Sequence, residues 1–527
     1  MTKTYAYTRW ASVCSLAMLL TLPACTDNFD ALNTPSDRIV VDQVDANLLG
    51  QAFAQSQWRG MFGSPGPFQL AQSLFADLYA QYFATTAENF DSDQYVEVGR
   101  WIDGAWTDFY ANAAPQIHFV EQFSGENGLP LQNAVAKIWK VQLFHRITDY
   151  WGPIIYSHFG NGETSVPYDS QEDIYKSFFT TLDEAIAVLE ANRGGNAFGN
   201  NDQVYGGDVD KWIKFANSLR LRLALRVKYV EPTLAQQQAE KAVAGGVIES
   251  NDDNAEVLTT PNSRNPYTTI TDWGEFRMSS AMESVLEGYE DPRLEVYYSP
   301  AVDGDSDGDG SPYEGMRNGL PRTEKGPVLN PQYSDMGVDW LNDNRGGSNP
   351  PMRVMCAAEV YFLRAEGALE GWNMGGTAQE LYNEGIRMSL SENRIGASPS
   401  EIEAYIASTN VPIAPDDAWG TPALSDIPVA FDVGGSKERQ LEQIITQKWL
   451  ALYPDGWEAF TEYRRTGYPK LYPIINSANP DLAVDDIFRR MTFVDGEASN
   501  NQAATKAAVS LLNGPDNNAT RLWWDAK

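Results

Sequence analysis

The chain has 527 residues, of which 71 are acidic and 39 basic, so its net charge at pH 7 is −32. This charge argues against nucleic acid as a partner, because too few basic side chains are present to neutralise a phosphate backbone. It also argues against electrostatic adhesion to anionic lipid. The chain has three cysteines, Cys14, Cys25 and Cys356. The first two belong to the N-terminal signal described below, so Cys356 is left without a partner for a disulfide framework.

The N-terminus has the order of a lipoprotein signal. Lys3 and Arg9 precede an apolar run of about 13 residues, which is followed by LPAC with Cys25. A membrane-crossing helix needs ~20 residues, so we expect residues 1–24 to be a cleaved signal peptide. Cys25 would then carry a diacylglycerol and an N-acyl chain, which anchor the protein to a membrane surface. The alternative is an ordinary secretory signal with an incidental cysteine.

The remainder of the chain is predicted to be a tether followed by a helical body. Residues 25–40 are polar and contain Pro35, which favours a tether. From residue 41 to 527 the apolar periodicity is mainly helical and strand signals are sparse, so we predict an all-α fold, with Asp208 or Asp210 capping one helix. The predicted helices cover residues 45–60, 67–87, 101–123, 131–150, 171–192, 209–230, 234–245, 278–288, 356–371, 376–390, 401–408, 437–452 and 455–463.

Several of these helices form pairs joined by short loops. In residues 357–390, glycines separate two helices in which Ala365, Ala368, Ala378 and Gly385 lie among aromatic residues. Small residues facing large ones allow close packing of the tetratricopeptide kind, although the ~34-residue repeat is degraded. Stacked helix pairs allow one body to exceed the ~250–300 residues of a single core.

Three segments interrupt the helical pattern. Residues 250–355 are rich in Asn, Asp, Gly and Pro and carry one convincing helix, near 278–288. Residues 193–208 and 88–101 are similarly polar and aromatic. Because a long irregular stretch inside a helical body is more often functional than a connector, these segments are where a binding site is expected.

Five blocks of the sequence are together typical of one family. They are LPACTDNFDALNTPSD behind the cysteine, ITDYWGPIIYS at 147–157, NNDQVYGGDVDKWIKFANSLRLRLALRV at 200–227, MSSAMESVLEGYEDPRLEVYYSP at 278–300 and ITQKWLALYPDGWEAFTEYRRTGYP at 445–469. In these blocks and their order, the chain resembles the SusD/RagB family of surface nutrient-binding lipoproteins, in particular its SusD-like branch. The resemblance covers almost the whole body.

The resemblance implies an all-helical body with four tetratricopeptide-like units and long irregular loop insertions. It implies a lipid-anchored position on the outer membrane of a Gram-negative cell, facing the exterior. It further implies a SusC-like TonB-dependent barrel as partner, over which the lipoprotein acts as a lid. Members of the family capture glycans or, in the RagB-like branch, peptides.

An oligosaccharide groove needs flat aromatic platforms for sugar faces and polar groups for hydroxyls. Loop aromatics close to polar residues meet this requirement: Tyr95 and Trp101 near Asn89 and Asp93, Trp273 near Arg264 and Asn265, and Trp340 near Asn342 and Arg345. The predicted ligand-binding residues are Asn89, Tyr95, Trp101, Trp273, Trp340 and Arg345. For each aromatic ring, the alternative is packing in the core or against the partner barrel.

Support for an enzyme is weak. The three histidines, His118, His145 and His158, form no HExxH motif, and no G-x-S-x-G elbow or phosphate-binding glycine loop occurs. Glu458 and Glu462 lie four residues apart on one predicted helix face and resemble a glycosidase pair, but ion pairing with Arg464, Arg465 or Lys448 is the favoured interpretation. Arg220, Arg222 and Arg226 are candidates for binding an anionic sugar, but balancing acidic neighbours is again the favoured interpretation.

Residues 303–314 match a calcium-binding loop, D-x-[DN]-x-[DN]-G-x₅-E. The predicted ligands are Asp303, Asp305, Asp307, Asp309 through its carbonyl, and Glu314. Pro300 and Pro312 interrupt the flanks, so we expect an isolated loop with a structural Ca²⁺ and no EF-hand pair. The alternative is an acidic solvated turn without metal.

The leading hypothesis is a non-catalytic surface lipoprotein that captures oligosaccharides and delivers them to a TonB-dependent outer-membrane transporter. A peptide-binding lid of the RagB type is the alternative, and a surface glycoside hydrolase is the third candidate. The sequence leaves the identity of the ligand open.

Overall fold

The computed structural model describes residues 44–306, 308–415 and 417–527. The predicted signal peptide, Cys25 and the predicted tether lie outside the described residues. The chain divides after Leu48, and the contacts discussed below are those of Leu49–Lys527.

Helices dominate the described chain, which confirms the predicted all-α fold. The N-terminal helices are α1 (Ala46–Gly60), α2 (Pro65–Phe68), α3 (Ala76–Tyr79), α4 (Gly99–Asp108), α5 (Ala114–Glu126), α6 (Pro130–Trp151), α7 (Gln171–Glu190), α8 (Val209–Arg226) and α9 (Pro232–Gly245). The later helices are α10 (Tyr267–Ile270), α11 (Ser280–Gly288), α12 (Leu294–Tyr297), α13 (Ala357–Leu369), α14 (Ala378–Leu390), α15 (Pro399–Ile406), α16 (Lys437–Leu452), α17 (Gly456–Thr466), α18 (Asp495–Asn500) and α19 (Gln502–Ala508).

Consecutive long helices pack against each other as pairs. Helix α6 packs on α5 and α7, α8 packs on α7 and α9, and α13 packs on α14 and α16. Gly385 of α14 lies against the ring of Phe362, where a Cβ atom would come within 2.7 Å of the ring carbons. The small residue is therefore what allows α13 and α14 to approach closely, as the sequence pattern predicts.

Helix α8 shows why these segments become core helices. Asp208 caps its N-terminus, because its carboxylate accepts hydrogen bonds from the backbone N–H groups of Asp210 and Lys211. The face that carries Trp212, Phe215 and Leu219 is fully buried. The capping prediction is thus confirmed, with Asp208 as the capping residue.

The single helix predicted over residues 67–87 is wrong. The chain instead forms α2, a π-helical stretch (Gln69–Ser73), α3 and strand β1 (Phe83–Thr85). The helix ends before Gln81, which has a positive φ of 51°. Strand β1 then pairs antiparallel with β3 (Phe276–Met278). Backbone N–H and C=O groups that a longer helix would have paired internally are therefore paired with a distant segment instead.

Two small sheets hold the irregular region, one by pairing it with the distant strand β1 and the other by pairing its two ends with each other. Phe83 lies opposite Met278 in the β1–β3 pair. Strand β2 (Ala255–Val257) pairs antiparallel with β4 (Met352–Met355) at the two ends of the irregular region. Among the described residues of 250–355, the one α-helix longer than about a turn is α11, which confirms the sequence prediction for this region.

Candidate ligand-binding site

The side chain of Trp273 is exposed in the irregular region. Its relative exposure is 43%, whereas large aromatic residues in this chain are mostly buried. Trp273 ends a short 3₁₀ turn, Thr271–Trp273, that directly follows α10. It therefore presents an apolar surface to solvent at a position set by neighbouring elements.

The backbone around Trp273 is held on both sides. Before it, the hydroxyl of Tyr267 donates to the buried carboxylate of Asp77 at 2.8 Å and so fixes α10 to the core. After it, Gly274 adopts a left-handed conformation with φ of 67°, and its carbonyl accepts a hydrogen bond from Asn330 Nδ2 at 2.8 Å. The indole is consequently carried by rigid scaffolding, which is what a binding platform requires.

A polar network is built on Asp272, the residue before Trp273 in the same turn. Asp272 accepts hydrogen bonds from Asn342 Nδ2 and, at 3.4 Å, from Arg345 Nη1. Arg345 also donates from Nη2 to Asp335 Oδ2 at 2.5 Å. Amide, guanidinium and carboxylate groups, which are groups that bind sugar hydroxyls, therefore meet at Asp272, the residue before the exposed Trp273.

A second ion pair extends the same surface. Arg264 donates to both carboxylate oxygens of Asp343, at 2.8 and 2.6 Å. The hydrogen bond from Arg264 lowers the pKa of Asp343. Partial desolvation lowers the pKa of Arg345, but the Asp335 and Asp272 carboxylates outweigh this and raise the pKa overall. Asp343 and Arg345 therefore remain ionised at neutral pH.

Asn89 is exposed on a neighbouring loop. The start of that loop contacts the Trp273 segment, because the backbone N–H of Thr86 donates to Glu275 O at 3.1 Å. Thr86 Oγ1 also donates to Asn330 Oδ1 at 2.6 Å, and Asn330 in turn contacts Gly274. The structure thus brings the loop of Asn89 to the segment that carries Trp273. We call the surface formed by Trp273, Asp272, Asn342, Arg345, Asp335, Arg264 and Asp343 the Trp273 surface.

The structure corrects the prediction for Tyr95 and Trp101. Tyr95 is 4% exposed and packs edge-on against Tyr79, with ring centroids 5.0 Å apart. Trp101 is 7% exposed and packs edge-on against Phe90, at 5.7 Å. Both rings are core residues because the first turn of α4 and the loop before it close over the helical body.

Trp340 is also a core residue, contrary to the prediction that it forms a platform. It is 1% exposed, and its ring packs edge-on against Tyr453 at 5.6 Å. The guanidinium carbon of Arg394 lies 5.5 Å from the Trp340 ring centroid. A small cavity of about 30 Å³, room for about one water molecule, adjoins the Trp340 ring.

The two glutamates considered as a catalytic pair are buried in salt bridges. Glu458 Oε1 lies 2.5 Å from Arg226 Nη2, and Glu462 Oε2 lies 2.6 Å from Arg465 Nη2 and 3.0 Å from Lys448 Nζ. Burial raises the pKa of Glu462, but Arg465, Lys448 and Arg226 outweigh it and hold that pKa well below its usual range. This confirms that the two glutamates form ion pairs, with the predicted partners Arg465 and Lys448 for Glu462, whereas the partner of Glu458 is Arg226 and not one of the three predicted residues.

The three arginines of α8 likewise balance acidic neighbours. Arg222 contacts Glu359 at 2.7 and 2.6 Å, Arg226 contacts Asp149 at 3.0 Å, and Arg220 contacts Asp183 at 2.5 Å. Within the described residues no three His, Cys, Asp or Glu side chains gather as a metal site would require. His145 is buried in α6, where burial lowers its pKa well below the usual value.

In the predicted calcium loop, three carboxylates accept hydrogen bonds from backbone N–H groups, those of Asp305, Asp309 and Glu314. Asp305 accepts from Gly308 at 2.6 Å and from Gly310 at 3.0 Å, and Glu314 Oε1 accepts from Ser306 at 2.7 Å. Asp303 and Asp309 are exposed, and Asp307 lies outside the described residues. Calcium binding by this loop stays a prediction.

Sequence reasoning missed the carboxylates of the Trp273 surface. Asp272 stands directly before Trp273, so its proximity was available from the sequence alone. Asp335 carries no such signal, because it reaches Arg345 through the fold of the 335–345 segment.

A protein-family model matches nearly the whole chain. The family model described as SusD-like, Susd and RagB outer membrane lipoprotein, matches residues 32–525. Among curated protein sequences we find no match. Within the described residues, no helix combines the length and the apolarity needed to cross a membrane.

Solved structures include several similar proteins. A chitin-binding SusD homologue from Flavobacterium johnsoniae is 36% identical, with a TM-score of 0.83 over 91% of this chain and 99% of that one. A SusD homologue from Bacteroides thetaiotaomicron is 33% identical, with a TM-score of 0.82 over 91% and 99% of the two chains. One from Bacteroides vulgatus is 36% identical, with a TM-score of 0.79 over 87% and 93%. The chain therefore belongs to the SusD-like family of outer membrane lipoproteins.

Proposed function

We propose that this protein binds oligosaccharides at the Trp273 surface and passes them, without chemical change, to a TonB-dependent outer-membrane transporter. The observation that carries the proposal is the exposed Trp273 indole in the turn whose preceding residue, Asp272, binds the Asn342 and Arg345 side chains. The apolar face of a sugar ring packs on an indole, while carboxylate, amide and guanidinium groups bind its hydroxyls.

The charges of the Trp273 surface favour a neutral ligand. Three carboxylates, those of Asp272, Asp335 and Asp343, face two guanidinium groups, and both guanidinium groups are already paired. A uronic acid or sulfated sugar would have to displace one of these carboxylates. The first probe is accordingly an uncharged N-acetylglucosamine oligomer, since the Flavobacterium johnsoniae homologue is described as chitin-binding.

The proposal includes delivery to a SusC-like barrel, which rests on membership of the family. It also includes attachment through an acylated Cys25, which rests on the lipoprotein signal pattern. Replacement of Cys25 by Ser is expected to prevent acylation and release the protein from membranes. Unchanged membrane retention of Cys25→Ser in cells without the barrel would contradict the anchor.

The function is tested by calorimetric titration of the body, residues 41–527, with N-acetylglucosamine, glucose and mannose hexasaccharides and with a peptide panel. Trp273→Ala is expected to weaken binding of the best hexasaccharide by about 1 kcal/mol or more. Trp419→Ala is the matched control, because Trp419 is 41% exposed on another loop. It should leave the affinity unchanged.

Three results would contradict the proposal. Peptide binding that Trp273→Ala removes would favour the RagB-type alternative. Hydrolysis of a hexasaccharide would contradict binding without catalysis, and equal effects of Trp273→Ala and Trp419→Ala would contradict the assignment of the surface.

We also propose a structural Ca²⁺ in the 303–314 loop. Asp305 is the central carboxylate of this loop. Each of its two oxygens accepts one backbone N–H, and a carboxylate oxygen has lone pairs for more than one partner, so it can also coordinate a cation. Titration of calcium-stripped protein should show binding that Asp305→Ala with Glu314→Ala removes. No heat and no change in Tm with millimolar calcium would refute it.

A further inference from the structure

Two cavities lie outside the Trp273 surface, where turns of the helical body meet the C-terminal segment. The smaller, of about 210 Å³, is formed by the turns that follow α8 and α13. The larger, of about 620 Å³, is open to solvent and is lined mainly by residues between 513 and 526. Tyr229 lines the smaller cavity, and the next residue, Val230, lines the larger one. The two cavities therefore adjoin the same short stretch of chain. Neither cavity shares a lining residue with the Trp273 surface.

The smaller cavity combines aromatic and polar side chains. Tyr229 and Trp372, both half-buried, line it together with Gln236. Lys228 Nζ donates to Glu370 Oε1 at 2.9 Å and lies 4.7 Å from the Tyr229 ring centroid, which orients that ring. Burial raises the pKa of Tyr229, so its hydroxyl is neutral and can both donate and accept a hydrogen bond.

The larger cavity has a wall that is fixed to the core. The backbone N–H of Trp523 donates to Gln171 Oε1 at 2.9 Å, and the indole N–H of Trp524 donates to Asp149 Oδ1 at 2.8 Å. These contacts hold the half-buried Trp523 at the cavity edge. The volume of the larger cavity falls within the ~300–1,000 Å³ of pockets that bind small molecules.

The charges in both cavities are neutralised within the protein. Lys228 is paired with Glu370, and Arg521 donates to Asp525 Oδ1 at 2.8 Å. A phosphate or carboxylate ligand would have to break these pairs. What remains for a ligand is aromatic surface, amide groups such as those of Asn513 and Asn517, and hydroxyl groups. This combination matches an uncharged, hydroxyl-rich chain.

We infer that the two cavities form an accessory groove, in which Trp372 and Trp523 bind rings of an oligosaccharide independently of the Trp273 surface. The inference goes beyond the proposed function, because it adds a second binding site on a different part of the molecule. Two sites on one polymer raise the retention of long chains above that of either site alone.

The test is hydrogen–deuterium exchange with the N-acetylglucosamine, glucose and mannose hexasaccharides, in the otherwise unmodified protein and in its Trp273→Ala variant. We expect slower exchange in segments 228–236, 370–376 and 513–526, and we expect it to persist in Trp273→Ala. Slower exchange confined to segments 264–276 and 335–347, or none with any hexasaccharide, would overturn the groove. Protection of the groove alone would instead contradict the proposed function while supporting this inference.

A double variant gives a second readout. Trp372→Ala with Trp523→Ala should remove the protection of the groove and reduce retention on the corresponding insoluble polysaccharide at least threefold, with Trp419→Ala as control. If the double variant has a lower Tm, Gln236→Ala is measured in its place, since Gln236 is an exposed lining residue on α9. Unchanged protection in Gln236→Ala would then overturn the inference.

Discussion

Two tryptophans follow an aspartate at the end of a short 3₁₀ turn, and the structure places them differently. Asp272 and Trp273 end the turn Thr271–Trp273, and Asp339 and Trp340 end the turn Val338–Trp340. Trp273 is 43% exposed, whereas Trp340 is 1% exposed. The same dipeptide in the same local conformation therefore produces a surface platform in one turn and a core residue in the other.

Their surroundings explain the difference. Trp340 packs against Tyr297 and Tyr453, and Arg394 covers it from a loop about 50 residues further along the chain. Trp273 is followed by Gly274, whose left-handed conformation turns the chain at once into β3. The comparison shows that local conformation sets the direction of a turn, while distant segments decide whether its aromatic ring is covered.

The largest expected effect is that of Trp340→Ala on stability. Loss of a fully buried indole should lower the free energy of unfolding by about 3–5 kcal/mol, because it removes buried apolar area and leaves a cavity. Urea denaturation measures this. Trp273→Ala is the matched control and should change stability by no more than about 0.5 kcal/mol. Similar losses in both variants would contradict the contrast between the two turns.

The free energy of unfolding is expected to depend on pH through Asp77, the residue that holds the Trp273 turn to the core. Burial raises the pKa of Asp77, the partner of Tyr267, from 3.8 to about 7. The folded state then binds the proton more tightly than the unfolded state, so stability decreases as pH rises from 3.8 to 7. Between pH 5 and 7 we expect a loss of about 2 kcal/mol.

Asp77→Asn separates this effect from the titration of other groups. An amide can donate to the Tyr267 hydroxyl, which lies 3.0 Å from Pro454 O and can donate there instead. Unfolding of both proteins at several pH values gives their difference in stability. A difference that stays constant from pH 5 to 7 would contradict the raised pKa.

Replacement of Arg394, which covers Trp340, should have a smaller effect on the free energy of unfolding. Arg394→Ala removes a cation–π contact and ion pairs with Glu256 and Glu392, and we expect a loss of about 1 kcal/mol. Quenching of tryptophan fluorescence by acrylamide should increase as Trp340 becomes accessible. Unchanged quenching would show that Arg394 does not shield the ring.

The smallest effect on stability is expected at the Trp273 surface. Arg345→Met breaks pairs that are partly exposed, so the free energy of unfolding should change by less than about 0.5 kcal/mol. The affinity for the best hexasaccharide should nevertheless decrease several-fold. A stability loss without a change in affinity would make Arg345 a structural residue.

Much of the fold follows from the sequence because its signals are local. Apolar periodicity located the long helices, and the position of Asp208 indicated the start of α8. The irregular region and the pairing of α13 with α14 were also predictable, since small residues opposite aromatic ones repeat within a few turns. The helix predicted over 67–87 failed because strand β1 depends on a partner almost 200 residues away.

The candidate site was only partly predictable from the sequence. Trp273 and Arg345 were identified as aromatic and polar residues of irregular segments, and the structure brings them to one surface through Asp272. The same reasoning selected Tyr95, Trp101 and Trp340, which are buried. Sequence alone determined the residue types and the loops that carry them. Only the tertiary structure decided which rings face solvent, because burial depends on packing between segments that are far apart in the chain.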